Sequence, residues 1–331
     1  MDWPLFDERD VFEDVEARLA AEALGDGLPL VAPTKARMAA MLAGVAEPDA
    51  GLGMGFVAPL FGELTPRTVA YNCVLAGCRP GERVVVEAAM VACQADELNL
   101  LGLMTTTGSA AIATVVHGPI AKALGLNSEI NCLGPGNRAN ATIGRAISLC
   151  LRNIGGAREG SGDMATVGQP GKYTFCFADG AAADIPPLHV RRGFAAEASC
   201  VTVLGLSGTA EVLPLRDGEG GDAGADAILD ALGIIMTASL ETTGASRQPQ
   251  PPEQVFILPP ELATRLAANG FDLTAIQAYL YDWAKQKGFQ IAAEPSRIQP
   301  IIAGGPGVKM AYLPLWGGGS CPVTREIAEQ P

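Results

Sequence analysis

The chain has 331 residues, of which 48% are hydrophobic and 18% charged, and its formal net charge is −13. The length and apolar content are sufficient for one or two domains with a substantial core and argue against disorder. The acidic balance argues against nucleic acid and anionic membranes as partners, because both require a basic surface. The sequence contains no run of about 18 apolar residues and no apolar signal-peptide core, which predicts a cytoplasmic location.

Helices are predicted for most of the first 125 residues, because threonine or proline marks their starts and glycine their ends. They are expected over residues 10–24, 34–42, 66–76 and 80–93. The run Val84-Val-Val86 also fits a strand. Two buried strands are predicted at 98–104 and 110–116, followed by a short helix that opens at Pro119 and ends at Gly125.

A glycine-rich turn leads directly into an amphipathic helix between Asn131 and Gly156. Glycines let the chain bend sharply there, and apolar residues then recur at helical spacing. The free N–H groups of a helix N-terminus beside an arginine are typical of a carboxylate or phosphate site. A tightly packed loop–helix junction is the alternative. The residues assigned to anion binding are Asn137, Arg138 and Asn140.

The second half of the sequence alternates strands and helices, which predicts an α/β fold with layered mixed sheets. Strands are expected at 173–178 and 200–206, then an acidic insertion at 218–226, a helix at 227–240 and a Pro-rich linker at 244–253. Strands at 255–258, 300–303 and 309–315 surround helices at 260–269 and 273–287. We therefore expect two α/β lobes, residues 1–206 and the smaller 207–331, with a site at their junction.

Eight cysteines are present, without CxxC or zinc-knuckle spacing, and only two histidines. A histidine-rich metal centre is excluded, whereas a mixed Cys/His/carboxylate site is not. Cys78 lies between two predicted helices and beside Arg79, a position that favours a reactive thiolate. Cys176 lies in an alternating strand and shares a face with Lys172, so both are expected in one cleft if the opposite, aromatic face packs into the core. Lys172 and Tyr173 are assigned to substrate binding. Burial as a small apolar side chain is the alternative for both cysteines.

Cys132 and His117 lie close to the glycine-rich turn and form a candidate nucleophile–base pair, or two ligands of a metal ion. A structural histidine at a strand end is the alternative. Glu97 precedes a buried strand and is a candidate general base. Thr106 and Thr107 offer hydroxyl and backbone donors for a carboxylate or an oxyanion. The Gly304–Gly307 loop with Lys309 is a second candidate anion loop, although it is not a P-loop.

Several segments resemble a poorly characterised bacterial family related to the partner of UGSC-type proteins, which carry a selenocysteine or cysteine in a U/C-Gly-Ser-Cys motif. The segments are 25–34, Asn72 with 76–80, 97–100, 105–107, 118–120, 126–128, Gly134-Pro-Gly-Asn-Arg-Ala-Asn-Ala-Thr-Ile-Gly-Arg145, 163–166, 171–178 and 322–325. The resemblance implies thiol or redox-linked small-molecule chemistry with a second subunit. His117 replaces the family's asparagine and Cys132 its usual apolar residue, so a specialised activity is expected.

These observations predict an enzyme that acts on a small anionic, carboxylate-type metabolite by cysteine-dependent lyase, hydratase or thiol-transfer chemistry. Neither a dinucleotide fingerprint nor another cofactor motif is present, and no cofactor is predicted apart from a metal ion in one alternative. That alternative is an enzyme with Cys/His/carboxylate ligands. Another alternative is a ligand-binding subunit of a two-component redox enzyme. Self-association into a homo-oligomer is expected from the apolar, Ala- and Gly-rich composition.

Overall fold

The computed structural model describes residues 3–182, 185–214, 224–243, 245–247 and 251–328. The predicted acidic insertion at 218–226 and Pro-rich linker at 244–253 lie partly outside these described residues. The α-helices are α1 Phe12–Ala21, α2 Lys35–Met41, α3 Pro66–Ala76, α4 Arg83–Ala92, α5 Leu100–Thr105, α6 Pro119–Ala123, α7 Arg138–Asn153, α8 Leu188–Arg191, α9 Ala225–Thr242, α10 Pro260–Ala268 and α11 Leu273–Gln286.

The strands form a short hairpin and two four-stranded sheets, which confirms the α/β class. They are β1 Phe56–Val57, β2 Gly62–Glu63, β3 Ala111–His117, β4 Cys176–Ala178, β5 Cys200–Leu206, β6 Ala210–Val212, β7 Gln254–Leu258, β8 Ile298–Ile302, β9 Met310–Leu313 and β10 Val323–Glu326. The first sheet has the order β10-β5-β3-β4 and the second β6-β9-β7-β8. Each contains one parallel pair, β3 with β4 and β7 with β8; its other pairs are antiparallel.

The two sheets pack face to face, with helices on their outer sides. Along β3, Ile112 and Val116 join the core beneath α3, α4 and α7, whereas Val115 joins a cluster shared with the second sheet. Along β7, Phe256 packs towards α9–α11, while Ile257 faces the shared cluster. This alternation is the two-residue period of a strand that is covered on both sides. The layers therefore run helices, sheet, sheet, helices.

The predicted boundary at 206/207 does not separate the two sheets. Strand β10 lies near the end of the chain and pairs with β5 in the first sheet, at the register Thr324↔Thr202. The two sheets also share one apolar cluster. Two separate lobes are therefore not confirmed.

The predicted strand at 98–104 is wrong, because residues 100–105 form helix α5. Asn99 adopts a left-handed backbone with φ 55°, and its side chain accepts a hydrogen bond from the Gly102 amide. This side-chain cap starts a helix in an apolar run whose composition also suits a strand. The run Val84-Val-Val86 is helical as well, in α4. None of the described helices is long and apolar enough to cross a membrane.

Candidate active site

The glycine-rich turn is held against α7 by asparagine side chains. Asn137 is the N-cap, accepting a hydrogen bond from the Asn140 amide at 2.9 Å, and it donates to the Gly125 carbonyl. The buried Asn140 side chain donates to the carbonyls of Asn127 and Cys132, at 2.9 and 3.1 Å, and accepts from the Asn127 amide. These polar atoms, which the sequence assigns to anion binding, therefore have partners within the loop.

The three arginines of α7 bind carboxylates of the chain itself. Arg138 forms an ion pair with the buried Glu82 and donates to the carbonyl of Gly77. Arg145 forms two hydrogen bonds of 2.8 Å to Asp26. The third arginine, Arg152, forms an ion pair with the exposed carboxylate of Glu159. An anion at this helix would have to compete with these internal partners.

Both glycine-rich loops border one cavity of about 620 Å³, which we call the two-loop cavity. Its lining comes from residues 130–134, 209–211 and 303–311, together with Ile257 and Pro259. A volume of this size lies within the range of small-molecule sites, about 300–1,000 Å³. The two loops that the sequence marks as candidate anion sites thus face the same space, although about 170 residues separate them.

Close backbone contact brings the two loops together after strand β8. The Gly304 amide donates to the carbonyl of Ser128 at 2.8 Å. Gly305 lies against Ile130, and a Cβ at Gly305 would come within 2.7 Å of the Ile130 Cβ and 2.9 Å of its Cα. Because real Cβ atoms essentially never show such distances, only glycine fits here without a shift of one loop.

Cys132 places a buried thiol at the wall of the two-loop cavity. Burial raises the pKa of this thiol, whereas backbone hydrogen bonds, including those from Gly304 and Leu133, act in the opposite direction. The raised pKa indicates that the thiol is protonated at neutral pH. The Leu133 amide lies where it can stabilise negative charge on or near sulfur once the proton has left, whereas the Gly304 amide already donates to the Ser128 carbonyl.

One ion pair supplies the charged side chains of the two-loop cavity. The ammonium group of Lys309 donates to the carboxylate of Glu211 at 2.6 Å, and both side chains are more than 60% exposed. An exposed pair of this kind contributes little stability, so a ligand carboxylate can displace it. Glu211 was missed in the sequence, because only the pairing of β6 with β9 brings it next to the loop of Lys309.

His117 does not pair with Cys132. Its ring is fully buried, with Nδ1 3.1 Å from Asp179 Oδ2 and Nε2 2.8 Å from Thr202 Oγ1. The Thr202 hydroxyl is in turn 2.8 Å from that of Thr324. The predicted nucleophile–base pair is therefore wrong, because the end of β4 and the centre of β5 supply the partners of this histidine.

The other candidate catalytic residues lie apart from the cavity. Cys176 is buried in β4, and that burial raises its pKa. Cys78 is half-buried and donates to the Thr142 carbonyl at 3.3 Å. Glu97 is exposed on a short 3₁₀ turn, where its carbonyl accepts the amide of Cys321 at 2.7 Å. The structure does not bring these three residues together with Cys132 at the two-loop cavity.

Lys172 and Tyr173 line a second, larger cavity of about 870 Å³. The ammonium group of Lys172 pairs with Asp163, and Tyr173 is 48% exposed. Lys172 therefore does not share a cleft with the buried Cys176, because the strand begins only at Cys176 and the preceding residues form a turn.

The remaining predicted binding residues, Thr106 and Thr107, make contacts within loops. The Thr106 hydroxyl accepts the Gly108 amide at 3.0 Å, and the Thr107 carbonyl accepts the Thr166 amide at 2.9 Å. Neither threonine lines the two cavities described above. Within the described ranges, no three or more His, Cys, Asp or Glu side chains are grouped to hold a metal ion.

Comparison of the chain with protein-family models, curated proteins and solved structures gave no match. The assignment of a site therefore depends on the geometry of the molecule. By that criterion the two-loop cavity is the strongest candidate, because it combines a thiol, converging backbone amides, a cation and a carboxylate.

Proposed function

We propose that this protein is a cysteine-dependent enzyme that acts on a small carboxylate-type metabolite in the two-loop cavity. The observation that carries the proposal is the meeting of two glycine-rich loops around the buried thiol of Cys132. We assign a lyase, hydratase or thiol-transfer reaction, because each uses nucleophilic sulfur or moves a proton at a carbon near a carboxylate.

Each charged group of the cavity has a role in this proposal. Lys309 binds the carboxylate of the substrate after leaving Glu211. The freed Glu211 carboxylate lines the same cavity as Cys132, and we assign it as the acceptor of the thiol proton. The loop amides then stabilise the negative charge that develops at the reacting centre. Fixed donors of this kind stabilise developing charge because they need no reorganisation during the reaction.

The charge of the whole molecule restricts where an anionic ligand can bind. With a net charge of −13, the general field repels anions, so an anionic substrate requires a local cation. Lys309 supplies that cation at the two-loop cavity. The arginines of α7, in contrast, are already paired with carboxylates of the chain.

Ligand protection of Cys132 tests this proposal. Each cysteine of the folded protein is alkylated from about pH 5 to 9, around the ordinary thiol pKa of about 8.5, and quantified by peptide mass spectrometry. The labelling is repeated with a panel of small mono- and dicarboxylates. We expect at least one carboxylate to slow the labelling of Cys132 several-fold without changing that of the exposed Cys321.

Two variants separate specific binding from a general salt effect. Lys309→Met is expected to abolish the protection of Cys132, whereas Lys122→Met, which removes an exposed lysine on α6, is expected to retain it. Labelling of Cys132 that no carboxylate changes, in the wild type or in either variant, would contradict the proposed site.

A further inference from the structure

Two cysteines meet at the C-terminal end of α3. Gly77 has φ 86°, the Cys78 amide donates to the Cys73 carbonyl at 2.8 Å, and the Gly77 amide donates to the Val74 carbonyl at 2.9 Å. These two bonds define a Schellman motif. In that motif the side chains at the positions of Cys73 and Cys78 frequently contact each other. The neighbouring Cys78 thiol accordingly contributes to the raised pKa of Cys73.

The backbone geometry also satisfies the span of a disulfide. A Cα atom lies about 2.4 Å from its own carbonyl oxygen and about 1.5 Å from its own nitrogen. The 2.8 Å hydrogen bond therefore limits the Cα–Cα separation of Cys73 and Cys78 to at most about 6.7 Å. Disulfides are found at separations of about 4.4–6.8 Å. The Cα separation of Cys73 and Cys78 therefore lies within the reach of a disulfide.

The two thiols differ in access to solvent. Cys73 is fully buried, and that burial raises its pKa well above the ordinary value, an effect to which the neighbouring Cys78 thiol adds. Cys78 is half-buried, and its Sγ donates to the Thr142 carbonyl. An external reagent therefore reaches the Cys78 thiol before the Cys73 thiol.

We propose that Cys73 and Cys78 form a redox-active dithiol, which small disulfide compounds such as glutathione disulfide oxidise to an intramolecular disulfide. Sulfur of Cys78 attacks the small disulfide and forms a mixed disulfide, and the first small thiol leaves with the Cys78 proton. Cys73 then attacks the Cys78 sulfur, and the second small thiol leaves with the Cys73 proton. The protein loses two protons and two electrons, which the reagent gains.

This dithiol is independent of the proposed function at Cys132, and other buried thiols provide the competing outcome. Cys150 lies near enough to affect the pKa of Cys73, and the Cys78 thiol affects that of Cys150 in turn. The Schellman hydrogen bond selects Cys73 as the partner of Cys78, because it fixes these two backbones against each other. Cys150 lies on a different helix, α7, and this hydrogen bond places no limit on its distance from either residue.

Oxidation of the full chain by glutathione disulfide tests the proposal. The folded protein is equilibrated at graded ratios of oxidised to reduced glutathione, quenched by alkylation and digested with trypsin without reduction. Residues 68–83 form one tryptic peptide that contains both cysteines. We expect that peptide to lose two hydrogens and both alkylation sites, with two of the eight thiols lost from the whole chain.

Two variants test the order of the steps. In Cys73→Ser, oxidation is expected to stop at a glutathione adduct on Cys78, whereas Cys150→Ser is expected to form the disulfide as the wild type does. Three results would overturn the proposal: a lasting adduct on Cys78 of the wild type, a disulfide to Cys150, or no oxidation of the 68–83 peptide at any ratio. Each of them is measured on the wild type and does not depend on the folding of a variant.

Discussion

Replacing Asn140 by alanine tests whether this asparagine holds the Cys132 loop or binds the substrate. The side chain is 4% exposed and forms three hydrogen bonds, two to Asn127 and one to the Cys132 carbonyl. At about 1 kcal/mol for each net hydrogen bond, Asn140→Ala is expected to lower the free energy of unfolding by about 3 kcal/mol. Loss of the tether also frees the Cys132 loop, so its thiol should be alkylated faster.

Urea unfolding followed by circular dichroism measures the first effect, and timed alkylation of Cys132 measures the second. Asn269→Ala is the matched control, because Asn269 is exposed and makes one hydrogen bond to the Arg265 carbonyl on its own helix. The control should change the free energy by no more than about 0.5 kcal/mol. If Asn140→Ala is as stable as this control but loses carboxylate protection of Cys132, the asparagine binds ligand and our interpretation is refuted.

Three further changes have defined outcomes. Gly305→Ala should push the two loops apart and abolish carboxylate protection in the alkylation assay, whereas Gly208→Ala, where an added Cβ meets nothing within 4 Å, should retain it. Burial by itself would raise the pKa of Asp26. The hydrogen bonds that Asp26 accepts, of which the one from Arg145 has the largest effect, outweigh burial and hold the pKa below its ordinary value. The Asp26–Arg145 pair therefore stabilises the fold fully above about pH 4, which is the pKa of Asp26 in the unfolded chain. This stabilisation is lost as the pH falls through the lower pKa that Asp26 has in the folded protein. Unfolding of Asp26→Asn at pH 7 and pH 3 should show a smaller difference in stability than the wild type, and an equal difference would contradict this. Thr65→Ala removes the capping box of α3 and should cost about 1–2 kcal/mol in urea unfolding; no change would contradict the role of the cap.

Long buried strands were predictable from the sequence. Whether a short apolar segment forms a strand or a helix was not. The runs that became β3 and β5 are mostly apolar and are buried along their whole length, as expected for strands covered on both faces. Residues 98–104 have the same character but form a helix, because Asn99 caps it. The local signal was an asparagine three residues before a glycine, and composition alone does not decide between the two structures.

The parts of the site were predictable from the sequence, but their arrangement was not. Cys132, the first glycine turn and the Gly304–Lys309 loop each carry a local signal. Their meeting depends on the pairing of β7 with β8 and on the packing of one sheet against the other. His117 shows the opposite case, because its nearness to Cys132 in sequence suggested a pair, whereas the parallel strand β4 ends beside it and supplies Asp179.

Burial determines which cysteines an external reagent reaches. It raises the pKa of several buried cysteines, among them Cys73, Cys93, Cys150, Cys176 and Cys200, so these thiols are protonated at neutral pH and do not react first with a reagent from solution. Cys132 and Cys78 differ from this group in their neighbours, since one borders a cavity with a cation and the other borders a second thiol. A carboxylate should therefore protect Cys132 and leave Cys78 unchanged, whereas mild oxidation should do the reverse. If each treatment changes both residues, the two sites communicate through α7, because this helix contacts Cys78 through Thr142 and the Cys132 loop through Asn140.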